Sequence, residues 1–388
     1  MKYLIINEFL EYGGTEIQTQ REVKNFINYG HDVYLITFDP NIKEKLFDNH
    51  YNISMPTSKL SKLKNKLVVN KKLLKKLKSI IGNIKPDFIH INNVYSCPHT
   101  VYKAVSKYKV FQTIRDYVSV CYKSTCIFDD LSECAGYKNE NCKKCTRGFK
   151  NKVKKYLFNK VMASRMKYIR YFACPSQALT DKCAQNGYNI RCINNPFDFE
   201  KMVVDNKKIQ DQKIYLYYGL ISAKKGVFRL IEAFNKFKND KNVKLVFIGQ
   251  VNPDDKNNFE SLIADNPAFE YLGKKKNDEI LQFLSNVYCT VVPSLWIENY
   301  PNTVLESKAN KTLVIGSNRG GIKEMIHNNA LLFNILDIDD VVNKLEYTYQ
   351  MSEDEYYSIV ESNVNEIKEN NSLEKYYLRI MDYLQTME

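Results

Sequence analysis

The chain has 388 residues, of which 44% are hydrophobic and 26% charged, with only 14 glycines and 10 prolines. That composition excludes a fibrous or disordered chain and leaves room for two domains of ordinary size. Lys and Arg total 57 against 44 Asp and Glu, a net charge of +13, which points to an anionic partner such as acidic lipid headgroups or a phosphorylated substrate.

In chain order, short apolar runs at Tyr3–Ile6, Val33–Phe38, Phe88–Ile91 and Val110–Thr113 are expected to form buried strands. A helix is expected over Thr15–Tyr29, with Thr15 and Gln18 in capping-box spacing and Gly30 as its stop. Two lysine-rich stretches, "SKLSKLKNKLVVNKKLLKKLKSIIGNIK" and "KKCTRGFKNKVKKYLFNKVMASRMKYIR", read as basic amphipathic helices. Either they are solvated outer faces of packed helices or they contact an anionic membrane surface. No helix-turn-helix, zinc-finger or RNP pattern accompanies the charge, so nucleic acid is not an expected partner. Apolar periodicity lapses near Ile193–Lys213, and a domain boundary is placed there: residues 1–195 form one domain and residues 196–371 a second. In the second half, strands are expected at Ile214–Tyr218, Val243–Ile248, Cys289–Val292 and Thr312–Ile315, with helices at Val227–Phe237 and Asn277–Ser285 between them. A last amphipathic helix, about residues 372–388, has no strand after it and could pack back on the first domain. Repeated strand–helix units in both halves predict an α/β fold with two doubly wound, Rossmann-like domains. No apolar run reaches the roughly 20 residues that span a bilayer, and the N-terminal stretch lacks the h-region of a signal peptide. A cytoplasmic protein is expected, with peripheral contact at the inner face of the cell membrane as the reading that the basic charge adds.

Glycines mark the predicted strand ends. Gly13 and Gly14 follow the first strand, and Gly219 and Gly249 follow two strands of the second half. Each alone reads first as a tight turn; marking an edge in each half, together they point to loops where backbone must approach a phosphate. Glu298 and Glu306 stand eight positions apart in "WIENYPNTVLES", with Pro301 suited to open a helix between them. The N–H groups of Asn302, Thr303 and Val304 would then face an anion such as a diphosphate. The two carboxylates, which only accept hydrogen bonds, would suit sugar and ribose hydroxyls on either side of it.

At this point the residues resemble a known family, the retaining glycosyltransferases of family 4, whose nucleotide-sugar enzymes have the two-domain GT-B fold. The resemblance runs through "GGTE", "NNPFD", "YYGLISAKKGVFRLIEAF", "LVFIGQ", "YLGKKKNDEILQFLSNVYCTVVPSLWIENYPNTVLESKAN" and "GSNRGGIKEMI". It implies two domains facing across a crevice, with an acceptor-binding first domain and a donor-binding second one. By the same resemblance Glu306 would bind the nucleotide ribose, and Glu298 would contact the donor sugar beside the reacting carbon. Lys225 would neutralise the departing diphosphate, with Lys274 among the donor-binding residues, and the loop of Gly13 and Gly14 would close over the phosphates. A UDP- or GDP-sugar is the implied donor, a glycan or lipid-linked saccharide the implied acceptor, and no metal or other cofactor is required for catalysis.

The sequence departs from the family's pattern at two places. Leu220 stands where an arginine is usual, and Arg115, in "TIRDYV" beside Asp116, stands where a histidine is common. Arg115 is no base near neutral pH but could bind phosphate; with Asp116, Lys225 and Glu298 it completes the candidate catalytic set. Cys142 and Cys145 form a C-x-x-C pair downstream of Asp116, in an insertion over about residues 117–148. Some relatives carry a similar insertion with counterparts of Cys121, Cys134, Cys142 and Cys145, which a structural zinc would stabilise; reduced, unliganded thiols, or disulfides formed only on oxidation, are the alternatives. Rival readings of the whole chain are a catalytically impaired relative that binds carbohydrate or nucleotide sugar, and another GT-B enzyme such as an epimerase or phosphorylase.

Overall fold

The computed structural model describes residues 1–10, 13–42, 45–55, 58–134, 139–203 and 207–387. The chain divides into two units, one of Met1–Pro196 with Leu373–Glu388 and the other of Phe197–Ser372.

The first unit is built on a parallel sheet of seven strands: β1 (Lys2–Ile6), β2 (Asp32–Thr37), β3 (His50–Asn52), β4 (Phe88–Ile91), β5 (Val110–Thr113), β6 (Tyr171–Cys174) and β7 (Ile190–Cys192). Their order is β3-β2-β1-β4-β5-β6-β7, with Ile5 of β1 in register with Leu35 on one side and His90 on the other. The helices are α1 (Gly14–Asn28), α2 (Lys59–Leu67), α3 (Lys71–Ile84), α4 (Pro98–Val105), α5 (Asn139–Cys145), α6 (Phe149–Tyr168) and α7 (Gln177–Ala184). Helix α1 begins one residue before the expected Thr15. Its N-cap is Gly13, with no side-chain cap, and the Thr15 carbonyl accepts the Thr19 hydroxyl instead of Thr15 acting as a cap.

The second unit has a parallel sheet of six strands: β8 (Lys213–Tyr218), β9 (Val243–Ile248), β10 (Phe269–Tyr271), β11 (Cys289–Val292), β12 (Leu313–Ser317) and β13 (Leu332–Phe333), in the order β10-β9-β8-β11-β12-β13. Its helices are α8 (Val227–Phe237), α9 (Lys256–Ile263), α10 (Asn277–Phe283), α11 (Asn302–Ala309), α12 (Gly320–Met325), α13 (Ile338–Gln350) and α14 (Glu353–Asn371). The closing helix, α15 (Leu373–Gln385), belongs to the first unit, where Tyr376, Ile380 and Tyr383 share a core with Tyr3, Phe26 and Phe111.

Both sheets are doubly wound, with strand order reversing between β1 and β4 in one unit and between β8 and β11 in the other. Open parallel sheets offer their ligand sites at the carboxyl ends of the strands flanking such a reversal. The connections leaving β1, β8 and β11 carry Gly13, Gly219, Lys225 and Glu298 and lead into α1, α8 and α11, while Arg115 and Asp116 follow β5.

Candidate functional site

In the second unit, the loop after β8 delivers Lys225 and the loop after β11 delivers Glu298. The Glu298 side chain is 15% exposed, and its Oε1 accepts three hydrogen bonds: Lys225 Nζ at 2.5 Å, the Ser294 hydroxyl at 2.6 Å and the Trp296 indole N–H at 2.7 Å. Among the described residues none donates to Oε2. Burial alone would raise the Glu298 pKa. Lys225 and the hydroxyl and indole donors outweigh it, so the carboxyl is held below its ordinary value. The Lys225 ammonium also sits 4.7 Å from the centre of the Trp296 ring, which fixes it between a carboxylate and an aromatic face. The result is an ionised acid with one oxygen committed to the protein and one left for a hydroxyl donor.

Backbone contact holds this loop in place. Gly321, at the start of α12, donates its N–H to the Glu298 carbonyl at 2.9 Å. A Cβ on Gly321 would lie 1.5 Å from the Asn299 carbonyl oxygen, so only glycine lets α12 approach the loop this closely. Gly219 and Gly249 end the neighbouring strands β8 and β9, and a Cβ on Gly249 would meet the Gly219 carbonyl oxygen at 1.8 Å.

Helix α11 starts beyond the same loop. Pro301 is its N-cap rather than its first helical residue, and the Pro301 carbonyl accepts the Val304 N–H at 3.1 Å. Val304 therefore spends its N–H inside the helix, and among the described residues the first-turn N–H of Thr303 has no protein acceptor. Glu306, the fifth residue of α11, is 2% exposed, and its Oε1 accepts the Asn277 amide at 3.1 Å. Asn277 lies 29 residues away at the start of α10, and no local spacing points to it. Ser294 and Trp296 were within reach of sequence reasoning, because they share the "PSLW" segment that precedes Glu298. Lys274 is exposed just before α10, and Leu220 is exposed after β8, where its carbonyl accepts the Tyr217 hydroxyl at 2.6 Å.

In the first unit, Gly13 and Gly14 stand at the start of α1. Glu16 is buried two residues on, and burial pushes its pKa up against the opposing pull of backbone N–H groups and Arg115. Arg115 follows β5; its Nε and Nη2 donate to Asn92 Oδ1 at 3.1 and 2.7 Å, and its Nη1 donates to Asn195 Oδ1 at 2.5 Å. Asp116 accepts the Val118 N–H at 3.0 Å on Oδ1 and the Tyr95 hydroxyl on Oδ2. Beneath them lies a buried network that the sequence did not signal. Glu22 accepts His90 Nδ1 at 2.6 Å, the Tyr3 hydroxyl at 2.9 Å and, from α15, the Tyr376 hydroxyl at 3.2 Å. Burial would raise the Glu22 pKa, but His90 and the other donors hold it below its usual value.

Among the described residues no group of three or more His, Cys, Asp or Glu is placed to hold a metal ion, and Cys121, Cys134, Cys142 and Cys145 form no disulfide. The Cys121 sulfur is engaged locally. A hydrogen bond from the Cys126 thiol, aided by backbone N–H groups from residues 123, 125 and 126, pulls its pKa down to about 6 against the effect of burial. Among the described residues no helix is long and apolar enough to cross a membrane.

Comparison with known proteins agrees with this architecture. The family model "Glycosyl transferases group 1" matches residues 198–363, and the model "Glycosyltransferase Family 4" matches residues 12–201. An uncharacterized 42.6 kDa protein in the cps region of Klebsiella pneumoniae is 25% identical over 378 residues, covering 88% of this chain and 92% of the relative. The crystal structure of Anabaena Alr3699/HepE in complex with UDP and glucose superposes with a TM-score of 0.73 at 14% identity, covering 100% of both chains. Sucrose-phosphate synthase (tll1590) from Thermosynechococcus elongatus superposes with a TM-score of 0.76 at 15% identity, covering 99% of this chain and 98% of the other. At those identities the two superpositions show the fold. Joined to family models that together run from residue 12 to residue 363, they establish that this chain belongs to the family 4 type of GT-B glycosyltransferases.

Proposed function

We propose that the protein moves a sugar, with retention of anomeric configuration, from a UDP- or GDP-sugar to a glycan or lipid-linked saccharide in cell-surface polysaccharide synthesis. The observation that carries this reading is the Glu298 cluster: an ionised carboxylate with a free oxygen, set beside a lysine and ahead of the helix that bears Glu306. The nucleotide and sugar bound to the Anabaena relative, and the cps region named for the Klebsiella relative, support the choice of donor and of pathway class.

In this mechanism Glu306 takes the ribose hydroxyls and Glu298 Oε2 takes hydroxyls of the donor sugar. Lys225 and the N-terminal turn of α11, through Thr303, stabilise charge on the diphosphate as it leaves. These groups supply the positive charge themselves, so the proposed chemistry requires no metal. The bond from the anomeric carbon to the phosphate oxygen breaks through an oxocarbenium-like state. A bond to the acceptor oxygen forms on the same face, and the acceptor proton passes to the departing phosphate oxygen. Glu298 positions and stabilises; it forms no covalent intermediate. Arg115 is assigned to the first unit's acceptor-binding residues as an anion contact, with Asp116 beside it.

The test is a thermal-shift screen of nucleotide sugars, since a ligand bound to the native state raises the melting temperature in step with its affinity and concentration. One UDP- or GDP-sugar should raise the melting temperature, and Glu306→Ala should abolish that shift and the turnover. Turnover by Glu306→Ala at the parent rate would sink the site assignment.

A further inference from the structure

The chain's positive charge is segregated. Residues 53–85 contain ten lysines and residues 141–170 contain eleven lysines and arginines, with no Asp or Glu in either stretch; the rest of the chain holds 36 basic residues against all 44 acids. The whole net charge of +13 therefore comes from the stretches that build α2, α3 and α6.

Helices α2 and α6 also leave apolar side chains uncovered. Helix α6 is 20 residues long, and Arg165 is its one fully buried residue among those described. In its first half Phe149, Val153 and Tyr156 recur at helical spacing on one face and are all exposed, Phe149 to 81% and Tyr156 to 66%. Helix α2 touches α6 and presents Leu60, 83% exposed, and Leu63 on its own surface. Single exposed apolar residues need no explanation, but two helical stripes on neighbouring helices do.

We propose that the α2 and α6 stripes are a docking surface for an anionic lipid bilayer, with the apolar side chains entering the interface and the lysines pairing with headgroup phosphates. Exposed Leu and Phe add nothing to binding the phosphate backbone of a nucleic acid, whereas they suit the headgroup–acyl boundary. Lysine outnumbers arginine by 18 to 3 in the two stretches, and long lysine stems can lie along apolar surface while their charges reach outward. A second copy of this chain would set the same basic surface against itself, which like-charge repulsion opposes. The proposal explains where a lipid-linked acceptor would be met. In that sense it rests on the function proposed above, but its test does not.

Full-length protein is mixed with vesicles of phosphatidylcholine alone or with about 30 mol % phosphatidylglycerol, and binding is read by co-sedimentation. The expected result is binding to the anionic vesicles only, weakened by salt. Leu60→Glu with Phe149→Glu should lower the affinity at least about tenfold, while Leu378→Glu, an exposed apolar position on α15, should leave it unchanged. Failure of the parent to bind anionic vesicles, or equal binding by the double variant, would overturn the proposal. So would an oligonucleotide that binds the parent more tightly than the vesicles do, or a parent dimer that the double variant abolishes. The donor-induced melting shift is measured on the same samples. If it is missing while vesicle binding behaves as expected, the catalytic reading fails and the docking surface stands.

Discussion

Glu298 is an acid whose ionisation depends on one neighbour more than any other. Burial opposes the charge, and Lys225 is the largest of the groups that restore it. In Lys225→Met the carboxyl should therefore protonate at higher pH than in the parent. The acid limb of donor binding, followed by the melting shift against pH, should move upward, and a limb that stayed in place would show that Ser294 and Trp296 suffice. Glu22 offers the matching stability test. Its folded pKa is depressed, so its contribution is complete above the ordinary glutamate value and is lost as pH falls through the lower folded one. Glu22→Ala leaves His90, Tyr3 and Tyr376 without their shared acceptor and should cost about 3 kcal/mol in urea unfolding. At this scale the sequence was partly legible. Glu298 and Glu306 stood out by spacing, and Ser294 and Trp296 lay in the same segment. Asn277 and Glu22 did not stand out, because each meets its partners only after the sheet has brought distant segments together.

The elements position these groups by close backbone packing. In Gly321→Ala the new methyl would overlap the Asn299 carbonyl, so either α12 or the Glu298 loop must move. Overpacking of this kind costs about 1–3 kcal/mol, and urea unfolding together with a weaker donor-induced melting shift should report it. A variant with parent stability and parent donor binding would mean that the loop is not held by α12. Strands β4, β5, β9 and β11 coincide residue for residue with apolar runs in the sequence. Strands β3, β7, β10 and β13 have three residues or fewer and carry too little pattern to be told from loop. The helix starts were misplaced for a physical reason: Gly13 and Pro301 cap α1 and α11 without a side-chain acceptor, so the usual capping signal is missing. The C-x-x-C spacing suggested zinc; among the described residues no group of three or more metal-ligating side chains comes together, and spacing along a chain does not fix where a loop places its sulfurs.

For the whole molecule, alternation of strands and helices in both halves was enough to predict two doubly wound units, since parallel sheets must be covered on both faces. The net charge could be counted, but its bearing on a membrane surface depends on which side chains the packing leaves uncovered, and only the structure gives that. The first unit is also discontinuous along the chain. Tyr376, Ile380 and Tyr383 of α15 complete its core, and everything from Phe197 to Ser372 is made in between. A chain ending at Ser372 should keep a protease-resistant second unit that still binds donor, while the first unit is digested; resistance of both would show that α15 is dispensable. During synthesis the first unit must therefore wait, with part of its apolar surface uncovered, until α15 has followed the whole second unit out of the ribosome. A mutation in α15 acts as a lesion of the unit whose strands were made before the second one began.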